Sequence, residues 1–313
     1  MSRVGTHTSI AKWPELAFER SHEVGGDTLQ IFAKSPRGWR IPTYDEEQYV
    51  AWRDLRTQFG QRGGIVHSNY LVNLSKPVDE ITREIDSVVH DFALAHKMWY
   101  QYVNVHIGKG KWFTTLDEPM RNMVRNVEHI LTRVRQEGYD DVEFLFENTA
   151  GQWSEIGSTL DEMALFWSDY LHTLPVKFCI DTAHCQGGGI DVADREQFVD
   201  EFADRIGIDQ LAAIHLNDSK AALWSRLDRH ASLGRWLIGW PSLAKVIRWA
   251  HAHDRDLFIE TPEPDLRPEE IEAVRRVGGG DDAWIEAAHA EWYGTQVLKK
   301  FEDLARQQQQ KLL

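Results

Sequence analysis

The chain has 313 residues, 42% of them hydrophobic and 27% charged, and a formal net charge of −14. No apolar run is long enough to cross a membrane, and the N-terminus lacks the basic-then-apolar layout of a secretory signal, so we expect a globular, cytoplasmic protein. The acidic balance argues against a general nucleic-acid binder, although it allows a basic rim around an acidic, metal-binding pocket.

Eight short, β-rich apolar runs recur along the chain, each followed by a stretch long enough for a loop and a helix. In chain order they are residues 4–9, 28–33, 64–68, 102–108, 142–148, 176–182, 211–217 and 256–261. Segment 77–98 has apolar residues at three- and four-residue steps, which is typical of an amphipathic helix. Eight strand–helix units predict an α/β fold, the (β/α)8 TIM barrel. An open doubly wound sheet is the alternative, but the chain has no glycine-rich nucleotide-binding motif.

The barrel is predicted to occupy residues 1–275. After the glycine-rich segment 278–282, the sequence predicts one more helix and a polar tail rich in glutamine. We therefore expect residues 276–313 to form a C-terminal helical extension that packs on the barrel and frays at its end.

Side chains that can bind a metal ion end six successive apolar runs. They are His67, His106, Glu147, Asp181, His215 and Glu260. The carboxyl ends of barrel strands carry the active-site face, so these six side chains are expected to converge on one mouth. His184 follows Asp181 by three positions, and Asp228 and His230 lie in the loop after the seventh strand.

Taken alone, each of these residues could be a core or surface residue, and the Asp228–His230 step could be an ordinary ion pair in a loop. Together they favour a metal site, because unpaired carboxylates gathered in one pocket are costly to bury and divalent cations remove that cost. Mixtures of imidazole and carboxylate suit zinc, manganese or iron. Nine ligands suffice for two or three ions, and such sites can clamp both oxygens of a phosphoester displacement.

Several segments resemble, in order and spacing, the endonuclease IV family of apurinic/apyrimidinic endonucleases. They are GTHTS, IFAKSPRGW, HSNYLVNLSKP, NVHIG, FENTAGQ, CIDTAHC, HLNDSK, SRLDRHASLG and FIETPEPD. The match runs from about residue 4 to residue 265, and all nine ligand positions carry the residue types of the family.

The resemblance implies a cluster of three Zn²⁺ ions, with manganese or iron possible at one site. The first ion would be held by His67, His106 and Glu147. Glu147 would bridge to the second ion, which would also be held by Asp181, His215 and Glu260. The third would be held by His184, Asp228 and His230.

The family resemblance also implies an activity. The expected reaction is hydrolysis of the phosphodiester 5′ to an abasic site in double-stranded DNA, leaving a 3′-hydroxyl and a 5′-deoxyribose phosphate, after the damaged nucleotide has flipped out of the stack. Glu147 or Glu260 would orient or deprotonate the attacking water. DNA with 3′-blocked ends is a further expected substrate, and the chain is expected to act as a monomer.

Two loops match the family's DNA-penetrating loops. Arg37 would enter the base stack, and Tyr70 and Leu71 would wedge into the gap left by the flipped nucleotide, since aromatic and apolar side chains can replace lost stacking. Without the resemblance, Tyr70 and Leu71 would be read as residues that cap the barrel.

Residues of the HLNDSK segment are expected to line the site. Asn217 and Asp218 would line it, with Asn217 a contact for DNA, and Lys220 would contact a phosphate. Arg226 and Arg229 are further candidates for DNA contacts, although each could equally form a surface ion pair.

The loops expected to contact DNA depart from the family pattern. Ser35, Pro36 and Gly38 replace amides around Arg37, Lys12 and Trp13 replace two glycines, residues 107–109 replace a Pro-Gly-Ser step, and Trp236 replaces a glycine. Hydrolase chemistry is therefore predicted more firmly than the identity of the substrate.

Two alternatives stay open. A sugar isomerase or epimerase of the same barrel superfamily would need only Glu147, Asp181, His215 and Glu260, and gives no reason for the other five ligands. A catalytically silent DNA-lesion binder would keep the metal site but not the reaction.

The segment CIDTAHC contains Cys179 and Cys185, the only cysteines of the chain. A structural disulfide is not expected in a reducing compartment. Cys179 lies two positions before Asp181 and so shares its side of the strand, deeper in the barrel. We expect both cysteines to be packing residues, with the metal chemistry carried by Asp181 and His184.

Overall fold

The computed structural model describes residues 2–11, 14–110, 113, 115–193, 200–291 and 294. Within these ranges eight parallel strands close into a barrel, with the last strand paired to the first. The strands are β1 (Val4–His7), β2 (Thr28–Phe32), β3 (Ile65–His67), β4 (Tyr102–His106), β5 (Glu143–Glu147), β6 (Val176–Asp181), β7 (Leu211–His215) and β8 (Asp256–Ile259). Each lies within one of the predicted apolar runs, so the predicted (β/α)8 barrel is confirmed.

Helices surround the barrel and connect the strands. They are α1 (Leu16–Glu23), α2 (Glu46–Gln58), α3 (Thr82–Lys97), α4 (Asp117–Glu137), α5 (Leu160–Phe166), α6 (Thr182–Gly188), α7 (Glu201–Arg205), α8 (Gly239–Ala252) and α9 (Arg267–Gly278). The amphipathic segment predicted at 77–98 contains α3, which buries Val88, Phe92 and Leu94 against the barrel. A short antiparallel ladder pairs Asp218–Ser219 with His230–Ala231 in the long loop after β7.

Helical backbone resumes at 282–291, where the Trp284 ring meets Trp240 of α8 at a centroid distance of 4.9 Å. This contact agrees with the predicted packing of a C-terminal helix on the barrel. The predicted division at 275 stays a prediction, and α9 continues past it to Gly278. The glutamine-rich tail lies outside the described residues, as do Lys12 and Trp13. No helix among the described residues is long and apolar enough to span a membrane.

The barrel interior is filled by a small apolar cluster, which we call the plug. It consists of Ile65, Leu145, Cys179, Ala212, Ala213 and Phe258. A much larger core packs between the outside of the barrel and the helices. Side chains alternate along a strand, so the residue two positions after a plug residue also points into the barrel, one layer closer to the carboxyl ends of the strands.

Both thiols are expected to be inert in the folded protein. Cys179 lies in the plug and Cys185 in α6, and neither is accessible to solvent. Burial raises the pKa of Cys179 to about 11 and raises that of Cys185 above its ordinary value, so both stay protonated and unreactive near neutral pH. Ellman's reagent should therefore label the native protein only slowly and label both thiols once guanidinium unfolds it. Rapid labelling before unfolding would contradict this assignment.

Candidate metal centre

Five predicted ligands lie directly above the plug. His67, Glu147, Asp181, His215 and Glu260 each follow a plug residue by two positions, on five different strands or at their ends. His67, Glu147, Asp181 and His215 have at most 3% of their surface exposed. The barrel thus places a layer of polar side chains over its apolar filling, at the face where the strands end.

Glu147 is the centre of this layer. Its Oε2 lies 3.1 Å from Nε2 of His67 and 3.5 Å from Nε2 of His106. Its Oε1 lies 3.2 Å from Nδ1 of both His184 and His215. Four histidines therefore surround one buried carboxylate, an arrangement suited to a ligand shared between ions.

A second group forms on the side of Asp181 and Glu260. Nδ1 of His215 lies 3.2 Å from Glu260 Oε2 and 3.9 Å from Asp181 Oδ2. With Glu147, these residues place four possible ligand atoms within 4.8 Å of one another, as do the three atoms offered by His67, His106 and Glu147.

The third group is built from the loop after β7. His230 Nε2 lies 3.2 Å from Asp228 Oδ1 and 3.4 Å from Asp181 Oδ2. His184 Nε2 lies 3.5 Å from Asp228 Oδ2. Asp181, His184 and His230 form the tight set here, and Asp228 lies at its more exposed edge. All nine predicted ligands are thus joined by contacts of 3.5 Å or less, although their binding of metal stays a prediction.

Asp181 also determines where His184 lies. It ends β6 and caps α6, with its Oδ1 accepting a hydrogen bond of 2.9 Å from the backbone N–H of His184. The short spacing in CIDTAHC therefore follows from a strand that turns directly into a capped helix. One carboxylate serves both the helix and the cluster.

The loop that carries Asp228 is held against the end of α6. The N–H groups of Trp224 and Arg226 donate to the carbonyls of Gln186 and Gly187, at 3.1 and 2.9 Å. Both donors have left-handed backbone, with φ of 64° and 53°. Such backbone is unfavourable for bulky side chains, so packing around this loop must compensate for the strain.

Two residues missed by the sequence interpretation support Glu260. His7 ends β1, and its Nδ1 lies 3.0 Å from Glu260 Oε1. Gln30 of β2 donates to the same oxygen through Nε2, while its Oε1 lies 2.8 Å from Nε2 of His215. His7 ends its strand as His67 and His215 do, a signal that was available in the sequence. A buried glutamine in mid-strand carries no comparable signal.

Amide side chains support the other carboxylates. Asn104 donates to Glu147 Oε2, and Asn217 donates to Asp181 Oδ2 at 2.7 Å. The Asn217 amide oxygen accepts from the backbone N–H of Glu260 at 3.0 Å. Carboxylates fixed in this way keep their orientation, as ligands of a metal cluster require.

The charges of the cluster are strongly coupled. Burial alone would raise the pKa of Glu147, but the nearby His215 and His106 outweigh it and hold that pKa well below the ordinary value. Burial would lower the pKa of His184, yet Asp181 and Asp228 raise it well above normal. His106, with weaker compensation for burial, has its pKa lowered to about 4. Without metal, protons on histidines balance the buried carboxylates, and divalent ions can take over that role.

One buried atom of the cluster makes no hydrogen bond within the described residues. Nε2 of His230 lies close to the carboxylates of Asp181 and Asp228, but it forms no well-aligned hydrogen bond with either. A buried ring nitrogen without a hydrogen bond is costly unless a ligand occupies it. This nitrogen and the histidine–carboxylate donor set fit a bound metal ion.

The loops predicted to enter DNA form one unit beside the cluster. Tyr70 donates its backbone N–H to Pro36 O, and Asn69 Nδ2 donates to Gly38 O, both at 3.0 Å. Arg37, Tyr70 and Leu71 are all exposed. Beneath them, the buried ammonium of Lys34 pairs with Asp91, which also accepts from Ser68 Oγ at 2.7 Å.

Asn217 and Asp218 both lie beneath the surface and hold other groups in place. Asn217 is fully buried and supports the predicted ligand Asp181, and its contact with DNA stays a prediction. The Asp218 carboxylate accepts hydrogen bonds from the backbone N–H groups of Ser219, Trp236, Ile238 and Gly239, and so anchors a loop instead of lining the site. From the sequence alone, the buried Asp218 could either line the site or anchor a loop. The path of the 236–239 loop shows that it anchors that loop.

The cationic candidates of this loop remain available. Lys220, Arg226 and Arg229 are exposed. The ammonium of Lys220 lies 4.9 Å from the centre of the Trp236 ring, so the tryptophan that departs from the family pattern contacts the predicted phosphate-binding lysine.

Comparisons with known proteins agree with this site. The family described as xylose isomerase-like TIM barrel matches residues 18–277. "Endonuclease 4" of Thermus thermophilus is 34% identical over 293 residues, which is 92% of this chain and all of that protein. "Probable endonuclease 4" of Persephonella marina is 31% identical over 283 residues, covering 88% and 97% of the two chains.

Solved structures show the same relationship. The crystal structure of endonuclease IV from Thermus thermophilus matches with a TM-score of 0.72 and 30% identity, covering 94% of this chain and 99% of that one. A D-tagatose 3-epimerase-like protein matches with a TM-score of 0.67 over 88% and 99% of the two chains, but at 16% identity this likeness concerns the fold alone. From its sequence and its fold, the chain belongs to the endonuclease IV family of xylose isomerase-like TIM barrels.

Proposed function

We propose that the protein is a metal-dependent DNA repair endonuclease that hydrolyses the phosphodiester 5′ to an abasic site, leaving a 3′-hydroxyl and a 5′-deoxyribose phosphate. The observation that carries this proposal is the single cluster of nine histidines and carboxylates at the barrel mouth. Relatives named endonuclease 4 support a nuclease. We further propose that it acts as a monomer on double-stranded DNA, including DNA with 3′-blocked ends.

The cluster would hold three zinc ions, with manganese or iron as alternatives at one site. Glu147 would bridge the first and second ions, because histidines approach both of its oxygens. Asp181, close to both His215 and His230, would lie between the second and the third. Ions of this kind lower the pKa of a bound water and stabilise the leaving oxygen of a phosphodiester.

Glu147 and Glu260 would have different roles, one as a metal ligand and the other as the group that accepts a proton from water. Glu147 is 1% exposed and bonded on both oxygens, so it is fixed in place as a ligand. Both oxygens of Glu260 also have partners, Oε1 in His7 and Gln30 and Oε2 in His215, but its side chain is 13% exposed and can reach a water at the mouth. Glu260 is therefore the better placed of the two to orient a water and accept its proton.

The face around the mouth suits double-stranded DNA with one nucleotide flipped out of the stack. Most large apolar side chains that the described residues expose follow the carboxyl ends of barrel strands: Ile41, Tyr70, Leu71, Trp153, Leu223, Trp224, Leu227, Trp236 and Leu237. Cations lie among them, at Arg37, Lys220, Arg226 and Arg229. Apolar wedges between cations are the combination that unstacks bases while neutralising phosphates. Arg37 would enter the stack, and Tyr70 and Leu71 would fill the gap.

Incision of an abasic duplex tests the reaction. Metal-loaded protein should cut a duplex that carries one tetrahydrofuran abasic analogue, 5′ to the lesion, and leave an undamaged duplex of the same sequence intact. Protein stripped with a chelator should be inactive and recover on addition of zinc. Full metal loading without incision would contradict the proposal and favour the silent DNA-lesion binder, whereas epimerisation of a ketose by the same sample would favour the sugar enzyme.

Replacing Glu260 with Gln tests its role in proton transfer. The amide keeps the shape but cannot take a proton, so kcat for incision should fall at least about a hundredfold while the unfolding midpoint stays close to that of the wild type. Glu269→Gln, in an exposed ion pair with Arg235, is the matched control and should leave kcat unchanged. A Glu260→Gln variant with near-normal kcat would remove Glu260 from the mechanism.

A further inference from the structure

Trp153 combines two unfavourable features. It is 77% exposed, although it is one of the largest apolar side chains. Its backbone is left-handed, with φ of 51° and ψ of 34°, and Ser154 after it has φ of 67°. Neither feature helps folding, because exposure forgoes hydrophobic stabilisation and this backbone region disfavours a bulky L side chain. Strained residues of this kind concentrate at functional sites.

The backbone around Trp153 is firmly held. Gly110 N–H donates to Ser154 O at 2.7 Å, and Ile156 N–H donates to Gly108 O at 2.9 Å. Lys109 and Glu155 form an antiparallel bridge between the loops after β4 and β5. The ring is therefore presented to solvent from a fixed base.

The position of Trp153 links it to the metal centre. It lies in the loop after β5, six residues beyond Glu147, on the face where the barrel strands end. The same loop packs against α6, where a Cβ atom built on Gly187 would lie 2.9 Å from Cβ of Ala150. It also meets the loop that carries Asp228, since a Cβ atom built on Gly151 would lie 3.7 Å from Cγ of Arg226.

The segments that contact the Trp153 loop each carry a cationic side chain. Lys109 is 41% exposed, and its Nζ lies 3.7 Å from Glu155 Oε1, which is too far for a strong hydrogen bond. Arg226, which lies near Gly151 of the same loop, is exposed. An exposed aromatic ring on a loop that also carries cations nearby is the pattern by which proteins stack a base and neutralise phosphates.

We propose that Trp153 is a stacking contact for a nucleobase of DNA bound across the barrel mouth, with Lys109 and Arg226 contacting the neighbouring phosphates. This inference rests on the proposed function for its ligand. It assigns to the loop after β5 a part in substrate binding that is separate from the metal ligands.

Three substitutions of Trp153 separate binding from folding. Trp153→Ala and Trp153→Gly should each weaken binding of a fluorescent abasic duplex, measured by anisotropy, by about tenfold, and Trp153→Phe should restore most of it. Glycine accepts left-handed backbone, so Trp153→Gly should unfold at the same or a higher denaturant concentration than the wild type. The proposal would be overturned if Trp153→Gly unfolded at a lower denaturant concentration than the wild type and Trp153→Phe failed to restore binding. Those results would assign the ring a structural role.

Trp99 supplies a matched control. It is 57% exposed, has left-handed backbone with φ of 58°, and lies 5.4 Å from the Arg53 guanidinium, but it precedes β4 and so belongs to the opposite end of the barrel. Trp99→Ala should bind the duplex as the wild type does. Equal losses in Trp99→Ala and Trp153→Ala would overturn the proposal.

Salt dependence distinguishes the ring from the cations. Trp153→Ala should leave the slope of log Kd against log salt concentration unchanged, and Arg226→Ala should reduce it by about one. Wild-type protein that binds DNA through Trp153 but does not incise would contradict the proposed function and support this inference. Wild-type binding that is unaffected by Trp153→Ala would overturn the inference alone.

Discussion

The structure depends on the burial of carboxylates at one end of a barrel. Glu147 and Asp181 are almost inaccessible, and Glu260 is little more exposed. Charges removed from water in this way are tolerated only when opposite charges and hydrogen bonds surround them. Six histidines, from four strands, helix α6 and the loop after β7, meet this need, and amide side chains hold the carboxylates in orientation. Divalent ions would replace the histidine protons and leave the same geometry in place.

The barrel and the ligand set could be predicted from sequence because both follow a strict period. Strands recur with the helix-plus-loop spacing, and five of the nine predicted ligands stand two positions after apolar residues such as Leu145 and Cys179. The same alternation assigns Cys179 to the plug and Asp181 to the cluster. The roles of Asp218 and Asn217 could not be predicted, because the partners of a buried polar side chain depend on loops that have no period.

The loops explain how an acidic chain can have a face for a polyanion. The net charge of −14 describes the whole chain, whereas four exposed cations, Arg37, Lys220, Arg226 and Arg229, lie among exposed aromatic rings where the strands end. Strained residues such as Trp153 and Arg226 belong to these loops. Departures from the family pattern, including Trp236 over Lys220, also lie there, while the ligand layer keeps every expected residue type. Under the proposed function, the strands would set the chemistry and the loops the fit to a particular DNA lesion.

The most direct test of this account is the metal content of the purified, folded protein. Elemental analysis of protein prepared without chelators should find about three divalent transition-metal ions per chain, with zinc dominant. Replacing His230, whose buried Nε2 makes no hydrogen bond within the described residues, with Ala should remove about one of them. A folded chain that binds no such ion, or that keeps its full complement without His230, would contradict the central claim.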